Sequence, residues 1–237
     1  MERRKFVIIM AAGSSTRMGA DRPKQFIELG GKAILQMTIE VFLKACPGIS
    51  VVTVLPEDFI DYWKRYCYRH NFTFPQTIVK GGITRFHSVK NALEKVPEGA
   101  LVAVHDGVRP LVSEKLVAEM FDQMSDTAAL IPVLPCVDTM KVLRKKGAKG
   151  AEILETVPGA SVDRSMLYGA QTPQIFHSEV LKSAYSLPYD TSFTDDASVV
   201  EKYGKNLSYT MGERFNIKIT TADDLVLAKA IMSMMED

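Results

Sequence analysis

The stretch Phe6-Val7-Ile8-Ile9-Met10-Ala11-Ala12-Gly13-Ser14-Ser15-Thr16-Arg17 decides the fold. Its first part, from Phe6 to Ala11, is a short apolar run with β-branched residues, which predicts a buried strand. Its second part is small and polar, which is typical of a turn whose backbone N–H groups can surround an anion. The stretch therefore predicts a first strand that enters a phosphate-binding loop.

Strand and helix patterns alternate after this first strand. Short apolar runs predict strands at 50–55, 76–79, 100–104 and 128–134, and segments with a helical period predict helices at 34–45, 58–70, 84–95 and 113–124. This alternation indicates repeated βαβ units. We therefore predict an α/β fold that is Rossmann-like, with a mostly parallel twisted sheet flanked by helices.

The pattern changes after residue 134. Polar segments at 139–143 and 152–157, separated by a turn at 145–150, predict a β-hairpin that projects from the core. Helices at 177–186 and 194–203, strands at 207–211 and 215–219, and a helix from Ala222 complete the prediction. Residues 1–237 are expected to form a single domain with an inserted arm at about 138–163. A hairpin this polar has little to bury alone, so we expect it to pack on a partner subunit.

The composition limits the possible partners. The chain has 237 residues, of which 46% are hydrophobic, and its 29 Lys and Arg residues nearly balance its 28 Asp and Glu residues. Because no net charge attracts polyanions to the whole surface, we expect neither nucleic acid nor a membrane as a partner. Three scattered cysteines favour a reducing, cytoplasmic location and predict buried apolar thiols.

The first candidate site combines the loop after strand one with Pro23-Lys24-Gln25. Small residues let the backbone approach a triphosphate, while Arg17 and Lys24 add fixed positive charge. The alternative is a Rossmann-like turn in which Gly13 only permits tight packing. The loop matches neither the dinucleotide pattern Gly-x-Gly-x-x-Gly nor the P-loop pattern Gly-x-x-x-x-Gly-Lys-Ser/Thr.

Two further candidates follow predicted strands. The glycine pair Gly81-Gly82 opens a helix that contains Ser88, and could make room for a base and ribose or serve as an ordinary helix entry. Asp106 and Arg109 lie at the carboxyl end of a buried strand, where open α/β sheets bind ligands. They could bind substrate or metal, or form only a mutual salt bridge.

Local polar clusters complete the set of candidates: Asp138-Thr139-Met140-Lys141, Val162-Asp163-Arg164, Gln171-Thr172-Pro173-Gln174, Thr194-Asp195-Asp196-Ala197 and Asn216-Ile217-Lys218. Each could be ordinary surface. For the fourth cluster, Thr194 as a helix N-cap, followed by acidic residues in the first turn, is a sufficient structural explanation.

In this order, the segments resemble the family of 2-C-methyl-D-erythritol 4-phosphate cytidylyltransferases of the non-mevalonate isoprenoid pathway. The likeness covers nearly the whole chain, and its ordered set of motifs is specific although each motif is weak alone. The motifs are Ala11-Ala12-Gly13 through Arg17-Met18, Pro23-Lys24-Gln25, Gly81-Gly82, His105-Asp106 with Arg109-Pro110, Asp138-Thr139, Val162-Asp163-Arg164, Thr172-Pro173-Gln174, Thr194-Asp195 with Ala197-Ser198, and Asn216-Ile217-Lys218.

The resemblance implies an enzyme, a nucleotidyltransferase that joins the cytidylyl group of CTP to 2-C-methyl-D-erythritol 4-phosphate and releases pyrophosphate. It also implies in-line attack without a covalent intermediate and a Mg²⁺ ion, or another divalent cation, held largely by the CTP oxygens. The hairpin corresponds to the family's dimerisation arm, which implies a homodimer whose arms complete the neighbouring sites.

The resemblance assigns three groups of site residues. The catalytic residues are Arg17, Lys24, Arg164 and Lys218, the first two at the triphosphate and the last two at the substrate phosphate. The nucleotide-binding residues are Ala11, Ala12, Gly13, Gly82, Ser88 and Asp106, the last also being near the metal. The residues expected to help bind the polyol phosphate are Arg109, Thr139 and Thr194.

Two departures from the family pattern are visible. The family commonly has Asp at the position of Ile83 or Thr84, which bears on the ribose and base contacts. It commonly has His-Asp-Ala-Ala-Arg where this chain has His105-Asp106-Gly107-Val108-Arg109, a change confined to small side chains.

Three other functions compete with this interpretation. A ribitol-5-phosphate cytidylyltransferase shares almost every motif, but usually begins Leu-Ala-Gly-Gly where this chain has Ala11-Ala12-Gly13, and Ala197-Ser198 also favours the methylerythritol acceptor. A nucleotide-binding regulatory module would not need cations around two phosphate groups. An oxidoreductase with a Rossmann turn is the third alternative.

Overall fold

A computed structural model of the chain describes residues 3–13, 23–147 and 152–236. The strands are β1 (Lys5–Met10), β2 (Glu28–Leu29), β3 (Lys32–Ala33), β4 (Ser50–Leu55), β5 (Gln76–Lys80), β6 (Leu101–Asp106), β7 (Ala129–Pro135), β8 (Leu143–Lys146), β9 (Ile153–Thr156), β10 (Tyr168–Ala170), β11 (Gln174–His177) and β12 (Ser208–Met211). The helices are α1 (Ile34–Ala45), α2 (Ile60–Arg69), α3 (Arg85–Leu93), α4 (Glu114–Asp122), α5 (Ser178–Ala184), α6 (Asp196–Lys202) and α7 (Ala222–Glu236).

Within the described residues, eight strands form one central sheet in the order β10-β7-β11-β6-β1-β4-β5, with β12 paired to β7. The half containing β5, β4, β1 and β6 is parallel throughout. The predicted α/β class with a mostly parallel sheet is therefore confirmed. In this half Met10 of β1 lies in register with Asp106 of β6, so the carboxyl ends of both strands meet at one edge.

Helices cover both faces of the sheet because successive residues of its strands point in opposite directions. In β1, Val7 and Ile9 pack in the cluster formed with α1, α2 and α4. Phe6 and Ile8 instead pack against α3, α5 and α6. A smaller cluster places α7 against the segments that carry Val108 and Ile219. The core is thus two apolar layers separated by the sheet.

Side-chain caps fix the starts of three helices. The Ser113 hydroxyl accepts from Leu116 N over 3.0 Å at the start of α4, and Thr84 caps α3. Asp195 and Ser198 form a capping box at the start of α6. The predicted N-cap at Thr194 is therefore wrong by one residue, and Asp195 is the cap rather than a first-turn acid.

The sequence pattern missed two strands in the second half of the sheet. Both β10 and β11 pair antiparallel with β7, and β11 also separates β7 from β6. The sequence patterns predict no element at 168–176, and they place His177 in a helix instead of at the end of β11. The strands form here because β6 and β7 offer backbone partners that local sequence cannot reveal.

Two other predictions of strands need correction. The predicted hairpin exists, but its first strand is Leu143–Lys146 rather than 139–143, and part of the predicted turn lies in that strand. Residues 215–219 are not a strand: Ile219 N donates to Val108 O over 2.9 Å, while Asn216 N and Ile217 N donate to carbonyls of the same loop. Ile219 is buried and Ile217 partly buried against α7, whereas Phe215 is exposed.

The described part of the chain contains no helix with the length and apolar character needed to cross a membrane. All three cysteines are free thiols. Only Cys46 is fully buried, so the expectation of three buried thiols is confirmed for that residue alone. Burial raises the pKa of the Cys67 thiol to about 11.

Candidate functional site

A cleft of about 540 Å³ opens at the carboxyl ends of β1 and β6. This is the edge at which open α/β sheets bind ligands. The residues that line it are Met10, Ala11, Ala12, Gly13, Lys24, Gln25, Arg85, Ser88, Asp106, Val108, Lys218 and Thr220. The cleft thus brings together seven of the predicted site residues from distant parts of the sequence: Ala11, Ala12, Gly13, Lys24, Ser88, Asp106 and Lys218.

Backbone contacts fix the start of the loop after β1. Ala11 N donates to Val54 O over 2.9 Å, and the buried Gln25 side chain donates to Ala11 O over 2.6 Å. A Cβ atom added at Gly81 would lie 2.5 Å from the Ala12 Cβ, so only glycine allows this close approach. Arg17 lies outside the described residues, so its predicted place at the triphosphate stays a prediction.

Ser88 forms hydrogen bonds within its own region. Its hydroxyl accepts from Gly82 N over 2.9 Å and donates to Thr84 O over 2.9 Å. The pair Gly82 and Ser88 therefore closes the entry to α3 in the way expected of an ordinary helix start. Because Ser88 also lines the cleft, this structural role and a place beside a bound nucleotide are compatible.

Asp106 lies at the centre of a charged cluster. Its Oδ2 atom is 3.0 Å from Lys218 Nζ and 3.2 Å from Arg109 Nε. Burial by itself would raise the pKa of the Asp106 carboxyl, but Lys218, Arg85 and Arg109 outweigh burial and hold the pKa well below its usual range. The salt bridge expected as an alternative is therefore present, and Asp106 faces the cleft as an ionised carboxylate.

His105 is buried behind this cluster and fixes the backbone that carries it. It is completely buried, and its Nε2 atom lies 3.1 Å from Arg109 O while its Nδ1 atom lies 3.1 Å from Thr172 Oγ1. Burial lowers the pKa of His105 to about 4. A neutral ring that donates from Nε2 to the Arg109 carbonyl must accept at Nδ1 from Thr172. Thr172 Oγ1 in turn accepts from Asp106 N over 3.1 Å, which fixes the end of β6.

Arg85 is a cleft residue that the sequence pattern did not single out. Two of its nitrogens donate to the two oxygens of Asp196 over 2.9 and 2.6 Å, and the Tyr185 hydroxyl donates to the same carboxylate over 2.6 Å. Asp196 is completely buried. Burial would lower the pKa of Arg85, but Asp196 raises it above its usual value, so the guanidinium stays charged. In the sequence, the only local feature that distinguishes Arg85 is its position one residue after the helix N-cap Thr84.

The four-residue motif Gln171-Thr172-Pro173-Gln174 lies inside the protein, where its side chains form hydrogen bonds with neighbouring elements. Gln174 is buried, donates to Asp195 Oδ2 over 2.8 Å and accepts from Ala197 N over 2.9 Å. It therefore fixes the start of α6, as Thr172 fixes the end of β6. These buried contacts exclude an ordinary surface role for the motif.

The other predicted residues lie outside the cleft of this chain. Gly82 and Arg109 contact its lining residues, as described above. Thr139 and Arg164 are exposed on the segments that flank the hairpin, where Arg164 Nη1 donates to Val137 O over 3.0 Å. Thr194 is exposed beside a separate groove of about 630 Å³ that includes Met166 and Tyr209.

The charge balance of the cleft indicates what it can bind. Lys24, Arg85 and Lys218 give the described lining three cationic side chains, against the single carboxylate of Asp106. Backbone N–H groups of small residues lie beside them at the loop after β1. This combination suits a ligand that carries several negative charges, such as a nucleoside triphosphate. No group of three or more metal-binding side chains occurs among the described residues.

Comparisons with known proteins agree with this geometry. A model of the 2-C-methyl-D-erythritol 4-phosphate cytidylyltransferase family matches residues 6–234. The protein of that name from Phocaeicola vulgatus is 43% identical over 228 residues, which cover 96% of this chain and 99% of that protein. The one from Porphyromonas gingivalis is 41% identical over 235 residues, with 98% and 100% coverage.

Solved structures show the same similarity in three dimensions. The crystal structure of the enzyme of that name from Thermus thermophilus has a TM-score of 0.69 and 29% identity, covering 97% of this chain and 98% of that one. The 4-diphosphocytidyl-2C-methyl-D-erythritol synthase from Anaerococcus prevotii has a TM-score of 0.75 and 27% identity, with 98% and 96% coverage. The chain belongs to the 2-C-methyl-D-erythritol 4-phosphate cytidylyltransferase family.

Proposed function

We propose that this chain transfers the cytidylyl group of CTP to 2-C-methyl-D-erythritol 4-phosphate, giving 4-diphosphocytidyl-2-C-methyl-D-erythritol and pyrophosphate. The observation that carries the proposal is the cationic cleft at the ends of β1 and β6, in a chain that belongs to this family along nearly its whole length. The cleft contains both a place for a nucleotide and a separate lysine for a second phosphate.

The nucleotide occupies the part of the cleft formed by Ala11, Ala12 and Gly13. Small side chains there leave room for ribose and phosphate, and Gly82 and Ser88 border the base. Lys24 lines the same part of the cleft, and with Arg17 it stabilises the charge that builds up around the α-phosphorus. A preorganised cation costs no reorganisation during the reaction, which is why we assign these residues to catalysis.

The polyol phosphate occupies the side of Lys218. The Lys218 ammonium group lies 3.0 Å from Asp106 Oδ2, and the lysine side chain is 45% exposed, so it can contact a ligand in the cleft. Arg164 supplies a second cation, and Arg109, Thr139 and Thr194 assist binding. With the phosphate held in line, one of its oxygens attacks the α-phosphorus while the bond to pyrophosphate breaks.

A homodimer brings Thr139 and Arg164 to the cleft of the neighbouring chain. Both lie on segments that flank the hairpin β8–β9, which pairs with no other strand among the described residues. The hairpin exposes Leu143 to 44%, Ile153 to 63% and Leu154 to 67%, and apolar side chains on an arm of this kind favour burial against a second copy. Residues 1–237 then form one nucleotidyltransferase domain with an inserted arm at about 138–163.

Mg²⁺ is the proposed cofactor. Asp106 is the only carboxylate among the described lining residues, and Mg²⁺ usually keeps waters and takes few protein ligands when phosphates are present. One carboxylate therefore fits a metal held mainly by CTP oxygens, with Asp106 as its protein contact. When bound, the metal would neutralise phosphate charge. A cytoplasmic location, with neither nucleic acid nor membrane as partner, completes the proposal.

Pyrophosphate release tests the proposal. Purified protein is assayed with CTP and Mg²⁺, and with 2-C-methyl-D-erythritol 4-phosphate, ribitol 5-phosphate or no acceptor. We expect turnover that requires an acceptor and is much faster with the methylerythritol compound. Much faster turnover with ribitol 5-phosphate would overturn the acceptor. CTP binding without pyrophosphate release under any condition would indicate a nucleotide-binding module.

A further inference from the structure

The loop that carries Lys218 is bonded to a strand at its first residue, where Gly212 N donates to Val133 O of β7 over 2.9 Å. Residues 213–220 then form no strand, yet Lys218 must keep its position beside Asp106. The side chain of Gln171 supplies further support. Its Nε2 atom donates to Glu213 O over 2.9 Å, and its Oε1 atom accepts from Glu213 N over 3.1 Å. The amide thus pairs with one residue of the loop as a neighbouring strand would.

Gln171 is itself firmly anchored to the sheet. Its side chain is buried, and its backbone N donates to Pro132 O of β7 over 2.8 Å. Thr172, the next residue, accepts from Asp106 N. Gln171 therefore contacts the loop that carries Lys218, and Thr172 contacts the end of β6 that carries Asp106.

Asn216 strengthens the same connection. Its Nδ2 atom donates to Thr172 O over 2.8 Å, while its carbonyl accepts from Arg109 Nη1 over 2.7 Å. Its Oδ1 atom is buried and has no hydrogen-bond partner in the part of the chain that the structure describes. An unsatisfied buried acceptor costs stability, so the other hydrogen bonds of Asn216 and Gln171 have to offset this cost.

The loop is also fitted closely to Gln171. A Cβ atom added at Gly212 would overlap the Gln171 Oε1 atom. An alanine there could adopt the backbone conformation but would displace the amide from its position. The steric contact between Gly212 and Gln171 therefore adds to the hydrogen bonds that position the loop relative to the sheet.

We infer that Gln171 is a positioning residue for Lys218, which sets the distance between the lysine ammonium group and the acceptor's phosphate. The inference rests on the proposed function, because it assumes that Lys218 binds that phosphate. Gln171 lines no part of the cleft, so it acts through the loop and not on the reacting atoms. Its loss should therefore affect the acceptor far more than CTP.

Steady-state kinetics of Gln171→Leu test the inference. Since misplacement of a binding group by about 1 Å can cost up to about a hundredfold, we expect kcat/KM for 2-C-methyl-D-erythritol 4-phosphate to fall about tenfold to a hundredfold. The KM for CTP should stay within about twofold of wild type. Gln36→Leu is the control, because Gln36 is also buried and accepts from the Tyr66 hydroxyl over 2.8 Å but does not line the cleft. It should lower the melting temperature and leave all kinetic constants unchanged.

Gly212→Ala tests the same contact without changing the glutamine, and covers the case in which Gln171→Leu does not fold. It should give the same selective loss for the acceptor. Gly169→Ala is its control, because an added Cβ there meets no atom closer than 4.0 Å. Equal losses for CTP and acceptor in either test variant, or no loss in both, would overturn the inference.

A double mutant separates the inference from the proposed function. If Gln171 acts through Lys218, adding Gln171→Leu to Lys218→Ala should lower kcat/KM for the acceptor by less than about twofold further. Full additivity of the two losses would overturn the positioning role and leave the proposed role of Lys218 intact. Wild-type kinetics in Lys218→Ala would instead overturn both.

Discussion

The cleft and the hairpin differ in how much of their geometry one chain decides. In the cleft, Asp106 contacts Lys218, Arg109 and the buried Thr172. The Arg85 guanidinium pairs through two hydrogen bonds with the buried Asp196. On the hairpin, Arg144 and Lys146 pair with Glu155 at the surface while Ile153 and Leu154 remain exposed. The cleft is preorganised by its own chain, whereas the hairpin is exposed and, in the proposed dimer, would be positioned by a second chain.

This difference suggests that the nucleotide side and the acceptor side of the proposed active site depend on different numbers of chains. The nucleotide side depends on packing that forms when one chain folds. The acceptor side depends on Lys218 from this chain and, in the proposed dimer, on Thr139 and Arg164 from another. Variants of the two regions should therefore fail in different ways, and the following predictions test this expectation.

The largest expected effect is on stability. Asp196→Ala removes the shared acceptor of Arg85, whose side chain is 34% exposed, and of the buried Tyr185 hydroxyl. Leaving a buried hydroxyl unpaired and losing charge-assisted hydrogen bonds should together lower the free energy of unfolding by about 3–5 kcal/mol. Glu155→Ala removes the surface ion pairs of the hairpin and should cost less than about 1 kcal/mol. Urea denaturation monitored by circular dichroism measures both. Similar losses in the two variants would remove the contrast between cleft and hairpin.

Lys24→Ala tests the catalytic role assigned to the cleft. Removing one preorganised charge should lower kcat by about 10²–10³-fold, while the Kd for CTP rises much less. Lys32→Ala is a suitable control, since Lys32 pairs with Glu40 at the surface away from the cleft. Kinetics and calorimetric CTP titration provide the two measurements. Equal losses in turnover and affinity would contradict a catalytic role and indicate binding alone.

Mixed dimers test whether the hairpin region completes the neighbouring site. Lys24→Ala and Arg164→Ala chains are each expected to be nearly inactive, but a heterodimer of the two would contain one cleft with Lys24 from its own chain and Arg164 from the other. Random pairing makes half of the dimers mixed, so coexpression should restore about a quarter of wild-type activity. No gain over the separate variants would show that each chain uses its own Arg164.

A further effect is a pH dependence of stability that originates at the buried His105, behind the cleft. Because burial lowers the pKa of His105 from 6.5 to about 4, the unfolded chain binds a proton as the pH falls below 6.5 while the folded protein does not. The folded state therefore loses stability between pH 6.5 and about 4, by about 2 kcal/mol between pH 7 and pH 5. Urea denaturation at both pH values should show a smaller loss for His105→Gln. The same pH dependence in both proteins would exclude His105 as its source.

Much of this architecture could be predicted from short-range patterns. The buried run of β1, the amphipathic period of α1 and the positions of Asp106 and Lys218 in their motifs are visible in the sequence, because strand and helix periods repeat over a few residues. The strands β10 and β11 were missed because they form only where β6 and β7 offer unpaired backbone groups. Arg85 was missed because its partner Asp196 lies 111 residues away.

The sequence alone therefore determined the fold class, the buried strand β1 and, through its ordered motifs, the family. It also singled out seven of the residues that line the cleft. Tertiary structure alone decided that Asp106 stays ionised among three cations, that Arg85 faces the cleft, and that Gln171 holds the loop of Lys218. The physical reason is that local patterns report which face of an element is apolar. The strength of a charge or a hydrogen bond depends on burial and on partners that only the folded chain brings together.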